Sequence, residues 1–243
     1  MVEWSVNLEG GTWWYAHVVE LPGCFSRGAS RGEALGSLPG AVEGRLGWLR
    51  YRGLACPACS GFSVVEERGG IPGLGESGGT VALFQTDLAT VDAATLGEAV
   101  RLMTLSRGEL LGVVGGLTED ELDAEPVPGK RTVRRDISHI VNAEEWYVSR
   151  LGPRYQRVYE EGLRAIRGRR RLSAVERLGA TRLPMIAALE AALAESRQGP
   201  FTRRRYARHP EEVWTLGKVL RRFLEHEGEH LGTINKTLGA LAE

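Results

Sequence analysis

Two histidines near the C-terminal end of the chain have the spacing of a metal-binding pair. His226 and His230 are four residues apart in a segment with helical periodicity, so both imidazoles lie on one face of a helix, one turn apart. At about 100° per residue, the pair falls at the edge of the apolar stripe that this helix would bury. The placement predicts ligands for one metal ion at the mouth of a helical core. Two partly exposed histidines on an amphipathic helix are the alternative interpretation.

The same residues spell His-Glu-x-x-His, the signature of zinc proteases, in which Glu227 would be the general base. A protease of this type needs a third ligand, and the residues after His230 contain no histidine or aspartate. The protease interpretation is therefore disfavoured. If these histidines bind a metal, the third ligand has to come from an upstream part of the chain.

Two glutamates are the candidate catalytic residues. Glu227 and Glu144 each project toward the middle of the apolar arc of a predicted helix. A carboxylate in that position has to be paired, hydrogen-bonded or functional, because an isolated buried charge is costly. Either glutamate could support a metal ligand or carry a proton, and a rotation of the helix would instead expose it.

The composition disfavours several classes of protein. The 243 residues carry no net charge, and no apolar run reaches the 18 residues of a membrane span. The N-terminus lacks the basic and apolar regions of a signal peptide. Three cysteines, an odd number, argue against a disulfide scaffold, so we expect a cytoplasmic protein. We interpret Cys56 and Cys59 as part of an ordinary loop, with a redox or metal role as the alternative.

Arginine is concentrated in one stretch of the chain. Residues 150–208 contain 15 arginines and 5 glutamates, a local net charge of +10. Such a stretch could bind nucleic acid or an acidic partner, but it is more often a solvated surface. We therefore expect a small-molecule substrate, no nucleic acid and no membrane. A nucleic-acid-binding component of a toxin–antitoxin system is the alternative.

The first ninety residues predict a small domain of mixed α and β structure, which ends in a glycine-rich linker. The predicted elements are a hairpin from residues 4–8 and 12–21, a helix over 31–51 that Pro39 and Gly40 interrupt, and β-like runs at 62–66 and 81–86.

One stretch of this domain resembles a known family. The residues Tyr15-Ala-His-Val-Val-Glu-Leu-Pro-Gly-Cys-Phe-Ser-Arg-Gly-Ala-Ser-Arg-Gly-Glu-Ala34 resemble the HicB-like antitoxin domain, and the resemblance covers about residues 3–68. It implies a strand, a Leu-Pro-Gly turn, a second strand and a helix that opens on serine. It also implies pairing with a partner protein, or a dimerisation or ligand-sensing module.

The remaining residues, 91–243, predict a four-helix bundle with at least one long crossover. His139 lies at the edge of the apolar arc of the second helix, the same placement that His226 and His230 have on the last. The four predicted helices cover residues 96–117, 132–151, 173–199 with a kink or restart at Pro184, and 211–242; a polar connection at 154–171 could include a short helix.

Two parts of this bundle resemble the DinB/YfiT-like superfamily. One is the stretch from Gly116 to Trp146, in which a Pro-Val-Pro-Gly turn precedes a helix that carries His139. The other is His226-Glu-Gly-Glu-His230-Leu-Gly-Thr-Ile234. The resemblance covers about residues 93–242 and implies a bundle in which His139, His226 and His230 hold one divalent metal ion, commonly zinc or nickel, often in a homodimer.

The resemblance also implies an activity, because members of this superfamily include transferases and isomerases that use low-molecular-weight thiols such as bacillithiol or mycothiol. Three imidazoles leave open positions on a metal, which is the arrangement of a catalytic site. We therefore expect a thiol-dependent transferase that acts on small electrophiles, with thiol or water activated by the metal. The alternative is a metal-binding stress-response protein without turnover.

Overall fold

The computed structural model describes residues 2–56, 58–76, 78–125 and 129–241. Backbone contacts divide the chain into two compact units. The first unit combines Met1–Ala89 with Thr202–Val213, and the second combines Thr90–Phe201 with Trp214–Glu243. The protein is therefore α+β, as predicted, with a small sheet in the first unit and a mostly helical second unit.

A four-stranded sheet and one long helix form the first unit. Its elements are β1 (Val2–Gly10), β2 (Trp14–Val18), β3 (Phe25–Gly28), α1 (Arg31–Tyr51) and β4 (Cys59–Arg68). The strand order is β3-β2-β1-β4, with β1 antiparallel to β2 and parallel to β4. Helix α1 begins after Ser30, whose hydroxyl accepts a hydrogen bond from the backbone N–H of Glu33, and it continues through Pro39.

The strand predicted at residues 81–86 is wrong. This segment is irregular and ends in a 3₁₀ turn, Gln85–Leu88. Its backbone donors bind side chains instead of a neighbouring strand: the N–H of Ala82 donates to Glu9 at 2.6 Å, and the N–H of Phe84 donates to Asp87 at 2.9 Å. Carboxylates thus satisfy the backbone groups that a β-ladder would otherwise pair.

The second unit is a helical bundle. Its helices are α2 (Ala93–Val114), α3 (Glu119–Asp123), α4 (Val133–Leu151), α5 (Pro153–Arg167), α6 (Ala174–Ala194) and α7 (Leu216–Leu241), of which α2, α4, α6 and α7 are the four long helices of the bundle. Helices α2 and α4 each pack against both α6 and α7, which closes a ring of four helices. The polar connection predicted at 154–171 is mostly a helix, α5, which packs against α4 and α6.

Side-chain caps explain where these helices begin. Asp92, Thr118, Thr132 and Ser173 each accept a hydrogen bond from a backbone N–H three residues further on. Helix α6 continues through Pro184, where a kink or restart was expected. The proline-rich turn at 126–128 lies outside the described residues.

The last helix begins five residues later than the pattern predicts. Phe201 and Trp214 exchange two backbone hydrogen bonds, of 2.9 and 2.8 Å, which hold the chain in an extended conformation before α7. The hydroxyl of Thr215 then accepts the backbone N–H of Lys218 at 3.0 Å and opens the helix. Helical periodicity does not reveal backbone hydrogen bonds between residues that are distant in the sequence.

Apolar side chains fix the relative positions of α4 and α7. Ile137 and Ile140 flank His139 on α4, and Leu231 follows His230 on α7; all three are buried in one core cluster. Because this core is packed, the polar side chains beside it are held in place. The cluster contains Leu110, Val114, Leu122, Val133, Ile137, Ile140, Val141, Leu178, Leu231 and Ile234.

Candidate metal centre

Three histidines from two helices converge in the second unit. His139 projects from α4, while His226 and His230 project from successive turns of α7, which packs against α4. The Nε2 atoms of His139 and His226 are 3.1 Å apart, and the ring centroids are separated by 4.5, 4.7 and 5.0 Å. The structure thus brings together the three residues that were predicted to bind a metal.

The spacing of the three rings fits one metal ion. Each ring offers one nitrogen atom that lies within 4.8 Å of the other two. Imidazole nitrogens bind zinc at about 2.0–2.1 Å, which separates the ligand atoms of a tetrahedral site by about 3.4 Å. The nitrogen atoms therefore need to approach one another by no more than about 1.4 Å to reach this geometry. His226 and His230 are buried and His139 is partly exposed, so the cluster is accessible from the side of His139.

The environment keeps two of the imidazoles neutral at physiological pH. Burial lowers the pKa of His139 to about 4, and the neighbouring His230 and Arg131 act in the same direction. Burial also lowers the pKa of His226 well below its ordinary value, assisted by His230 and Arg222. A neutral imidazole has a free lone pair, which is the form that binds a metal.

The metal-free protein is expected to lose stability as the pH falls from about 6.5 toward about 4. An unfolded histidine ionises near pH 6.5, whereas the pKa of folded His139 is about 4 and that of His226 is also lowered. Between these values the unfolded chain takes up protons that the folded chain does not, so acid favours unfolding. Urea unfolding of chelator-treated protein at about pH 7 and about pH 5 measures this loss.

The matched variant for this measurement carries His139→Asn and His226→Asn together. It lacks both groups with lowered pKa values, so its stability should change less between the two pH values. An equal change in the variant and the unaltered protein would contradict the assignment of this pH dependence to the two histidines.

The carboxylate of Asp136 contacts the histidine cluster. Its Oδ1 atom is 3.2 Å from Nδ1 of His230 and 3.7 Å from a guanidinium nitrogen of Arg131. Asp136 is buried, three residues before His139 on α4. Asp136 was not among the predicted site residues, although the spacing Asp-x-x-His places both side chains on one face of the helix.

Glu227 and Glu144 lie in a different contact network. Nε of Arg107 donates to Glu227 at 2.7 Å, and Nη2 of Arg107 donates to Glu144 at 2.8 Å. Arg182 also forms ion pairs with both carboxylates. Its Nη2 atom lies 3.1 Å from Oε1 of Glu144 and also contacts Oε2 of Glu227. The hydroxyl of Thr181 donates to Glu144 at 2.9 Å. We call the four charged residues the arginine–glutamate network.

The arginine–glutamate network joins all four long helices at the centre of the bundle. Arg107 comes from α2, Glu144 from α4, Arg182 from α6 and Glu227 from α7, and all four are buried. Burial alone would raise the pKa of Glu144, but Arg107 and Arg182 lower it below its ordinary value. Glu144 is thus ionised, and both glutamates are paired with arginines, as expected for carboxylates buried in a core.

Trp146 and Tyr147 of α4 each pack against an aromatic ring of another segment. Trp146 packs edge-on against Trp214, and Tyr147 packs edge-on against His226, with centroids 5.2 and 5.8 Å apart. In the part of the chain that the structure describes, no cysteine forms a disulfide, and Cys56 and Cys59 lie in the first unit. Among the described residues, no helix is both long and apolar enough to cross a membrane.

A cluster of histidines between facing helices defines a class of helix bundles that build metal sites from core side chains. The sequence model of the DinB superfamily matches residues 102–234, more than half of the chain, and the match includes all three histidines. The chain therefore belongs to the DinB superfamily.

One solved structure is similar to this chain. It is YfiT from Bacillus subtilis, described as a probable metal-dependent hydrolase with an unusual four-helix bundle topology. The two share 16% sequence identity with a TM-score of 0.46, over 68% of this chain and 95% of YfiT. A search of curated proteins gave no match.

Proposed function

We propose that His139, His226 and His230 bind one divalent metal ion, zinc or nickel, and that the protein transfers a low-molecular-weight thiol to small electrophiles. The observation that carries this proposal is the convergence of three imidazole rings, two of them with lowered pKa values, beside a partly exposed edge of the bundle. Zinc in structural sites usually has four protein ligands, so a set of three favours a site that is open to a substrate.

When bound, the metal would lower the pKa of a thiol or water in its open position, so that the nucleophile forms at neutral pH. The chain itself contributes position and charge. His226 and His230 hold the buried side of the site, and His139 lies on the side that solvent reaches. The partly exposed guanidinium of Arg131 lies close enough to lower the pKa values of His139 and His226, so its charge favours an anionic ligand such as a thiolate.

For Glu227 and Glu144, the contacts favour a supporting role over proton transfer. Both carboxylates form ion pairs with Arg107 and Arg182, which hold them in place between the helices. We propose that they hold α4 and α7 in the register that brings the histidines together. This pairing also disfavours the zinc-protease interpretation, in which Glu227 would have to accept a proton from water.

A thiol-transfer assay tests the proposed activity. Zinc-loaded and nickel-loaded protein is mixed with bacillithiol, cysteine or 2-mercaptoethanol and with 1-chloro-2,4-dinitrobenzene. The thiolate sulfur bonds to the ring carbon, chloride leaves, and the thiol proton passes to buffer. We expect conjugate formation to exceed the uncatalysed rate by at least about 100-fold, a typical contribution of an activated nucleophile.

His226→Ala is the variant that should abolish this acceleration, and His209→Ala, in the other unit, is the matched control. Metal-loaded protein that gives no acceleration with any of these thiols would refute thiol transfer to this electrophile. It would favour the second candidate, a metal-binding protein without turnover.

For the first unit, we propose a HicB-like module that mediates assembly. The strand–turn–strand–helix order of Trp14–Val18, Phe25–Gly28 and Arg31–Tyr51, with the helix capped by Ser30, supports this assignment. A homodimer is the assembly that we propose. A small-molecule substrate and a cytoplasmic location stay predictions from the sequence.

A further inference from the structure

Asp136 is a buried carboxylate with few partners. Its Oδ1 atom contacts Nδ1 of His230 at 3.2 Å, and Arg131 lies 3.7 Å away, beyond hydrogen-bond distance. Its Oδ2 atom is buried without a hydrogen-bond partner among the described residues. His230 is thus the side chain that donates a hydrogen bond to this carboxylate within the described chain. Burying a carboxylate with one donor is costly, so the contact calls for a functional explanation.

The contact determines which nitrogen of His230 carries the proton. An ionised carboxylate only accepts hydrogen bonds, so Nδ1 of His230 has to be the donor. In a neutral imidazole the other nitrogen, Nε2, then has the free lone pair. His139 and His226 approach each other through their Nε2 atoms, so the same nitrogen of His230 is the one left for a shared metal ion.

We propose that Asp136 is the positioning residue of this site: it fixes His230 in the Nδ1–H tautomer and aims its Nε2 atom at the ion held with His139 and His226. The proposal rests on the proposed function in one respect, namely that His230 is a metal ligand. Because Asp136 and His139 lie one turn apart on α4, this helix supplies both a ligand and the residue that orients a ligand on α7. Arg131 adds a cation beside the same oxygen.

The first test measures the tautomer in the metal-free protein. Long-range ¹H–¹⁵N correlation spectra of ¹⁵N-labelled protein distinguish Nδ1–H from Nε2–H imidazoles, and His230→Ala identifies the resonance. We expect His230 of the unaltered protein in the Nδ1–H form. Asp136→Ala should shift it toward the Nε2–H form, whereas Asp136→Asn should keep the Nδ1–H form, because the amide oxygen also accepts a hydrogen bond.

The second test measures metal affinity by zinc competition with a chromophoric chelator. Asp136→Ala should weaken binding by about 10- to 100-fold, and Asp136→Asn by less, whereas exposed Asp123→Ala should have no effect. Loss of affinity with an unchanged tautomer would indicate a merely structural role and overturn the proposal.

The two tests separate this proposal from the one on which it rests. If the unaltered protein binds no zinc, the proposed function fails while the tautomer of His230 still decides the role of Asp136. An Nε2–H form of His230 in the unaltered protein would refute the positioning role directly, even if every substitution of Asp136 prevented folding.

Discussion

Replacing Arg107 with alanine is expected to lower the free energy of unfolding by about 3–5 kcal/mol, the usual effect of breaking a buried ion pair. Arg107 binds both Glu144 and Glu227, and it also donates to the backbone carbonyl of Leu178. Without it, Arg182 alone faces two buried carboxylates, and one negative charge stays uncompensated. Urea denaturation of the full chain, monitored by the helical circular dichroism signal, measures this decrease in the free energy of unfolding.

Arg134 provides a matched control for this prediction. It also bridges two carboxylates, those of Glu119 and Asp123, but both partners are exposed to solvent. Arg134→Ala should therefore change stability by less than about 1 kcal/mol, because exposed ion pairs are screened and costly to order. Similar losses in the two variants would contradict the view that burial, not the number of ion pairs, gives the arginine–glutamate network its effect.

The sequence predicts the local features of the bundle well, because they depend on neighbouring residues. Helices were expected from residues 132 and 173, where Thr132 and Ser173 each accept the backbone hydrogen bond that starts a helix. Helical spacing also placed His139 and His226 at the edges of apolar arcs, and the two rings meet in the structure. These predictions succeed because 3.6-residue periodicity fixes the face on which each side chain lies.

Contacts between distant residues could not be predicted in the same way. The buried face of α2 includes Arg107, and that of α6 includes Arg182, yet periodicity does not tell which carboxylates they bind. The late start of α7 depends on the backbone pairing of Phe201 with Trp214, and the irregular segment at 81–86 depends on Glu9. Each feature is set by a partner more than ten residues away, which local propensity does not encode.

The two polar clusters of the bundle use consecutive residues of one helix. His226 turns toward His139, while Glu227, rotated by about 100°, enters the arginine–glutamate network. On α4, His139 belongs to the histidine cluster and Glu144 to the arginine–glutamate network. The register of α4 and α7 therefore determines the positions of both the arginine–glutamate network and the histidine cluster.

Replacing His230 with alanine is expected to remove the bound metal. The unaltered protein, purified without an affinity tag and reconstituted with zinc or nickel, should hold about one ion per chain by elemental analysis, because three imidazoles form one site. Two imidazoles, one of them partly exposed, bind far more weakly, so dialysis should leave His230→Ala empty. His209→Ala is the control, since that histidine pairs with Glu211 in the other unit.

The same variant should also lose the stabilisation that the metal provides. A ligand that binds only the folded state stabilises it by about 2.7 kcal/mol at a free concentration 100 times its dissociation constant. Added zinc should therefore raise the urea midpoint of the unaltered protein and of His209→Ala, but not that of His230→Ala. Metal retained by His230→Ala would show that another residue completes the site. If the unaltered protein takes up no metal, the three histidines are only a structural contact between α4 and α7. The proposed metal-dependent thiol transfer would then be wrong.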